Sequence, residues 1–412
     1  MKKKKKIDKK ISILCMVFRE DKIGYKDIDH ILPFLYFLDK SENIKFKIKL
    51  LIFLDEISFK KKRDPRINFL INLRNVELEF LYKNNFLLKI KSFLKLRNSS
   101  VLFNFFYRIV NKFYFKYLIK SNRKIFLNNK LLLDYIISKP QLIITVHHTK
   151  KGDISEFIKK LNKKSKRILI PHGTVIMDNN MVHDTHLSKH DNLRHKKNTN
   201  TFDYILNTSR RDLDLYTSQG IDRSRLKIIG SPRYCKEWLD VKRKLGLDGK
   251  NVSEKKKYKV KFLFLIPKPF INIFNDELIR TIDFISSYKE IELILLGNTY
   301  NYPVLQDNIL SRSNIRRYII AKDYSTSKLI EWADIVLHAG TGVIFESFMK
   351  NKITVLPRYL SSNTLISEKY NAGWNLSNRD QLRNLCNDAL SSLSTLKKKY
   401  KNETWLANKK FI

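Results

Sequence analysis

The sequence predicts an α/β protein made of two doubly wound, Rossmann-like parallel-sheet domains facing a central cleft. Three observations carry that expectation. Short apolar runs alternate with helical patterns along nearly all 412 residues, the layout of successive βαβ units. The alternation breaks once, in the charged and strandless stretch 240–258, and then restarts. One compact domain usually holds about 100–200 residues, so a chain of this length divides.

Taken in order, ISILCMVF (11–18) reads as a buried first strand, followed by a helix near 27–40 and the strand KIKLLIFLD. A helix opening at Asp64-Pro65, the strand VELEFLY and a helical insertion over about 85–137 come next. QLIITVHHT, a helix at 153–163, RILIPHGT, FDYILNTS, a helix from Arg210 and RLKIIGSP complete an N-terminal domain, 1–239. Beyond the 240–258 linker, KFLFLIP, a helix near 276–288, IELILLG and RRYIIA begin a second domain, 259–385. A helix at 325–332, DIVLHAG, a helix at 342–350 and ITVLP finish it, and 386–412 reads as a helical tail. Open α/β sheets bind ligands outside the carboxyl ends of their strands, which directs attention to those ends.

Composition narrows the classes. Apolar residues are 43% of the chain and there are only 11 Gly and 9 Pro, so a disordered or collagen-like chain is excluded. Cys15, Cys235 and Cys386 lie far apart and form no C-x-x-C, against a disulfide scaffold or zinc ribbon and in favour of a reducing, cytoplasmic setting. The net charge of +41 suits a polyanionic partner, but the lysine runs are also what an AT-rich genome over-supplies. No run reaches the ~18–20 apolar residues of a transmembrane helix. The opening lysines and ISILCMVF imitate a signal peptide without its small-residue cleavage site.

The sharpest feature is DIVLHAGTGVIFESFMKNKITVLP, 334–357. A strand ends at His338, and Gly340 and Gly342 let backbone come close to a diphosphate. Free N–H groups at the start of a helix near Thr341 then face the anion. Glu346, on the first turn, can accept hydrogen bonds from ribose hydroxyls; the plainer alternative is a tight turn with Glu346 in solvent. HAGTGVIFES resembles the donor-site signature of GT-B glycosyltransferases, a His-x-Gly run with a glutamate six residues after the glycine, then a strand ending in Pro. The resemblance implies the GT-B fold. It also implies that His338, Gly340, Thr341 and Gly342 hold a donor diphosphate and Glu346 the ribose, with no metal or other cofactor. The donor would be UDP- or CDP-linked. Where that family often carries Asp-Gln to grip the sugar, this chain has Ser361-Ser362-Asn363. Lys268, just past a strand, is a candidate phosphate contact, and Tyr324 and Ser325 are candidates for the base.

On the acceptor side, RILIPHGT, FDYILNTS and RLKIIGSPRY resemble the CDP-glycerol glycerophosphotransferases of teichoic acid synthesis. They are equally similar in layout to non-hydrolysing UDP-GlcNAc 2-epimerases. Together the resemblances cover about 141–375. The glycerophosphotransferase resemblance implies that His172, beside Gly173, is a general base removing the acceptor hydroxyl proton. His147 or His148, ending another strand, can serve instead. Arg210 and Arg233 are candidate phosphate or acceptor contacts. Epimerases need paired acids around the cleft, and His172-Gly173 replaces their glutamate-containing segment.

His183, His186, His190 and His195, with Asp184 and Asp191, have metal-like spacing, against the reading of an acceptor-facing loop. Asp212-x-Asp214 reads as two acids near a helix start. In 101–120, Arg108, Lys112, Lys116 and Lys120 form a basic ridge beside Phe105, Phe113 and Tyr117. That pattern fits either an anionic membrane surface or a helix packed on the first sheet. The expectation is a transferase moving a glycosyl or glycerol-phosphate unit onto a lipid-linked or polymeric cell-surface glycan at the inner face of the membrane. The rivals are a sugar-nucleotide 2-epimerase, a non-catalytic GT-B-like scaffold and a basic nucleic-acid-binding protein. No nucleic-acid module is recognisable, so nucleic acid is not an expected partner.

Overall fold

The computed structural model describes residues 11–17, 26–41, 46–55, 65–82, 141–146, 164–170, 201–218, 220–247, 252, 258–266, 273–297, 318–320 and 325–411. Among these, one compact unit runs to Pro232 and a second starts at Arg233.

The N-terminal unit is a seven-stranded parallel sheet. Its strands are β1 (Ile11–Val17), β2 (Phe46–Asp55), β3 (Val76–Tyr82), β4 (Leu142–Val146), β5 (Lys166–Ile170), β6 (Tyr204–Asn207) and β7 (Leu226–Ile228). They lie in the order β3-β2-β1-β4-β5-β6-β7. In β1, the successive residues Ile13, Leu14 and Cys15 are all buried. This is what a strand covered on both faces requires, and it explains a continuous apolar run in place of alternation. Helix α1 (Lys26–Asp39) buries Ile28, Ile31, Leu32 and Leu35, one face at helical spacing. Helices α2 (Pro65–Ile71) and α3 (Arg210–Ser218) complete the described part of this unit.

The C-terminal unit is a six-stranded parallel sheet of β8 (Val260–Leu265), β9 (Ile291–Leu296), β10 (Tyr318–Ile320), β11 (Ile335–His338), β12 (Ile353–Pro357) and β13 (Trp374–Leu376). Its order is β10-β9-β8-β11-β12-β13. Its helices are α4 (Lys236–Lys244), α5 (Asn275–Ser287), α6 (Thr326–Trp332), α7 (Ile344–Met349), α8 (Ile366–Lys369) and α9 (Arg379–Phe411). Phe262, Phe264, Ile282, Leu293, Leu337 and Val355 share one buried cluster.

In both sheets the strand order reverses beside the first strand of the unit, between β1 and β4 and between β8 and β11. Such a switch point leaves a crevice at the carboxyl ends of the two strands, because the chain departs to opposite faces there. β11 pairs with β8 so that His338 lies opposite Leu265, the last residue of each strand.

Three features differ from the sequence expectation. Part of the 240–258 stretch is helical, because α4 buries Trp238 and belongs to the C-terminal unit. The strand β13 is too short to stand out as a run. It is seated by Gly373, whose φ of +75° suits glycine and where an added Cβ would meet the Thr354 carbonyl oxygen at 2.6 Å. Finally, 386–412 is no separate tail. α9, interrupted only at Ser392, buries Leu382, Leu385, Cys386, Leu396 and Tyr400 in the same core as Phe262. No described helix is long and apolar enough to cross a membrane.

Candidate functional site

The site is built on the carboxyl end of β11. Ile335, Val336, Leu337 and His338 are all buried, so the strand runs apolar to its end and then presents an imidazole. His338 is 1% exposed and its Nδ1 has no hydrogen-bond partner among the described residues. Burial drives its pKa down to about 3, so the ring is neutral near pH 7. An orphaned buried nitrogen at a switch point is the kind of group a ligand satisfies.

After His338 the chain turns sharply at Gly340, whose φ of +107° is open to glycine and costly for other residues. Thr341, Gly342 and Val343 are half-buried. The turn is held by the Val343 N–H donating to Thr341 Oγ1 at 3.4 Å and the Glu346 N–H donating to the Val343 carbonyl at 3.0 Å. The N–H groups of Gly340, Thr341 and Gly342 make no hydrogen bond among the described residues, which leaves three donors at one bend. The helix itself starts later than its sequence suggests, at Ile344, and is six residues long. Loop amides, more than a long helix dipole, are therefore what this bend offers an anion.

Glu346 is buried, not in solvent. Its Oε1 accepts from the Ser327 hydroxyl of α6 and lies 3.2 Å from Lys350 Nζ, one turn along α7. Burial alone would push the carboxyl up. The charges of Lys242 and Lys350 and the Ser327 hydrogen bond more than offset this and hold it below the usual carboxylate range. Glu346 is therefore ionised near pH 7. Its Oε2 takes no hydrogen bond from the described residues. Lys350 Nζ also donates to the Ser327 carbonyl at 3.0 Å, fixing α6 against α7.

On the far side of β12, Asn363 follows the short turn Arg358–Leu360. Its N–H donates to Ser361 Oγ at 3.1 Å, while both its side-chain amide atoms are buried without partners among the described residues, in a residue 1% exposed. Arg358 holds this turn through an ion pair to Glu368 at 2.8 Å.

The other expected residues fall as follows. Ser325 caps α6, its hydroxyl accepting from the Lys328 N–H at 3.2 Å. Arg210 is exposed at the start of α3. Arg233, expected on the acceptor side, belongs to the C-terminal unit. Its guanidinium lies 5.3 Å from the ring centre of Tyr234, which stacks on Phe345 of α7. His147, His148, His172, Gly173, Lys268, Tyr324, the His183–His195 loop and 101–120 lie outside the described residues. Asp212 accepts from Thr208 Oγ1 and the Ser209 N–H, and its own N–H donates to Ser209 Oγ at 3.2 Å. That reciprocal cap explains why an acid stands there. Among the described residues no group of His, Cys, Asp and Glu is arranged to hold a metal ion.

Residues that sequence reasoning passed over are Ser327, Lys350 and Lys242, all gathered on Glu346. Lys350 was within reach of it, standing four residues from Glu346 on one helix face. Ser327 and Lys242 come from separate helices and carry no local signal.

No family model matches the chain, and no curated protein matches it in sequence. Solved structures do. The UDP-GlcNAc 2-epimerase of Methanocaldococcus jannaschii aligns over 93% of this chain and 92% of its own, with a TM-score of 0.54 at 13% identity. Anabaena HepE in complex with UDP and glucose aligns over 97% and 95%, with a TM-score of 0.54 at 13% identity. Staphylococcus aureus MnaA, in a co-structure with UDP, aligns over 93% and 88%, with a TM-score of 0.53 at 12% identity. At such identities the likeness establishes the fold alone: two parallel-sheet α/β units, as in the GT-B fold.

Proposed function

We propose that the C-terminal unit binds a nucleotide-activated sugar, the diphosphate at Gly340–Gly342 and His338 and the ribose at Glu346. The observation that carries this reading is the pairing of three unengaged loop amides with an ionised, buried carboxylate whose Oε2 is still available. A diphosphate needs clustered N–H donors, and a ribose diol needs an acceptor that stays charged in a low-dielectric setting. UDP is the first nucleotide to try, since HepE and MnaA were solved with it. Titration calorimetry with UDP and CDP tests the site; absence of binding to either nucleotide refutes it.

For the reaction we infer transfer of a glycosyl or glycerol-phosphate unit to a cell-surface glycan, with no metal or other cofactor. His172 is its base and His147 or His148 the alternative. The place of action would be the cytoplasmic face of the membrane. Neutral histidine suits removal of a hydroxyl proton near pH 7. A second reading, 2-epimerisation of the sugar nucleotide, is favoured by the M. jannaschii enzyme and by the Neisseria meningitidis UDP-GlcNAc 2-epimerase bound to UDP-GlcNAc, with a TM-score of 0.51 at 11% identity. Incubation with UDP-GlcNAc alone separates them. An isomer still carrying UDP supports epimerisation, whereas free UDP released only with an added glycan acceptor supports transfer.

A further inference from the structure

We propose that the outer face of the last helix docks on an anionic lipid surface. Beyond Ser392, helix α9 seats Leu396, Tyr400 and Thr404 at steps of four into the unit's core. The opposite side carries Lys398, Lys401, Trp405 and Lys409, all exposed and spaced to form one stripe. Leu406 adjoins it and is 71% exposed; Trp405 is 47% exposed. Trp405 and Leu406 thus keep apolar surface in water, whereas Trp238 and Trp332 are buried and Trp374 is engaged by Glu403 at 2.8 Å.

That same hydrogen bond turns Glu403, the acid nearest the stripe, away from the lysines. Lys398, Lys401 and Lys409 have no acidic partner among the described residues, and Lys401 Nζ stands 5.8 Å from the Trp405 ring centre. A basic stripe around an apolar pair matches an interface in which lysines reach headgroup phosphates while the indole and the leucine enter the acyl boundary. A second copy of this chain fits poorly, because its like stripe would repel. Nucleic acid would leave Leu406 without a partner. The inference does not depend on the nucleotide site.

Flotation of the full chain with vesicles tests it. Binding is expected to vesicles of equal parts phosphatidylglycerol and phosphatidylcholine and not to pure phosphatidylcholine. The double change Trp405→Ser, Leu406→Ser, which keeps every charge, should weaken anionic-vesicle binding about tenfold or more. Lys398→Glu with Lys401→Glu and Lys409→Glu should abolish it. Vesicles should also shift tryptophan emission to the blue, and Trp405→Phe should remove that shift. UDP titration of these variants, expected to match the parent chain, keeps a failure of this idea apart from a failure of the nucleotide reading. Equal vesicle binding by the Trp405/Leu406 variant overturns the proposal. So does a wild-type chain indifferent to anionic vesicles, or a stripe variant that changes the oligomeric state or RNA binding without lipid.

Discussion

Ser327 of α6 donates its hydroxyl to Glu346 of α7, so one buried carboxylate joins the helices on either side of β11. Glu346→Gln removes the charge while keeping the shape. It should weaken UDP binding by about 1.5–3 kcal/mol, the scale of a charge-assisted hydrogen bond. Ser327→Ala should cost about 1 kcal/mol of stability and less of affinity. Calorimetry and urea unfolding read the two quantities separately. A Glu346→Gln chain that binds UDP like the parent removes the carboxylate from the site.

Acid should loosen the C-terminal unit well before ordinary carboxylates titrate. His338 has a folded pKa of about 3 against an ordinary 6.5. Between these values the unfolded chain binds the extra proton. Stability is then full above 6.5 and falls by up to roughly 1.4 kcal/mol per pH unit below it. Glu346 adds to this further down: its folded pKa lies below the ordinary 4.5, so its contribution is present above that and lost as pH falls through the folded value. In His338→Gln the slope between pH 6.5 and 4.5 should flatten in urea unfolding series. An unchanged slope would mean that the ring is protonated in place.

Gly340→Ala places a Cβ where φ is +107°. The strain, about 1–3 kcal/mol, should appear as a lower unfolding midpoint. UDP affinity should drop as well, because the bend that gathers the loop amides relaxes. Unaltered affinity at reduced stability would separate the bend from ligand binding.

Asn363 is expected to split stability from function. Both its amide atoms are buried and unpartnered among the described residues. Asn363→Leu, which keeps the branching and the number of heavy atoms and removes the polar ones, should therefore leave the melting point unchanged or raise it. If the amide meets the sugar, the same change raises KM for a UDP-sugar while UDP itself binds normally. A variant that melts lower and keeps its KM assigns the amide to the fold.

His172→Ala should lower kcat about 10²–10⁴-fold with nucleotide binding retained. Turnover at the parental rate would transfer the role to His147 or His148.

Much of the architecture was legible because burial on both faces makes parallel strands continuous apolar runs. ISILCMV, IELILL and ITVLP each became strands. The Gly340 bend was readable for the same local reason, a glycine directly after a buried strand. The environment of Glu346 was not. Its burial depends on Ser327, 19 positions upstream, and on Lys242 of a helix hidden in a lysine-rich stretch that reads as linker. Helix α4 escaped notice because Trp238 supplies nearly all its anchoring. Strand β13 escaped because three residues are too few to show a period.

The last helix also sets an order of events during synthesis. Lys397 meets Asp334 at 2.8 Å, the Gly373 N–H reaches Asn408 Oδ1 at 2.8 Å, and Trp374 reaches Glu403. These clasps come from a helix made after both sheets, and they close beside β11 and on β13, made earlier. The C-terminal unit therefore waits for α9 to emerge, while the strands up to β7 can assemble earlier. A nascent chain stalled short of residue 396 should hold its second sheet open to proteases and chaperones.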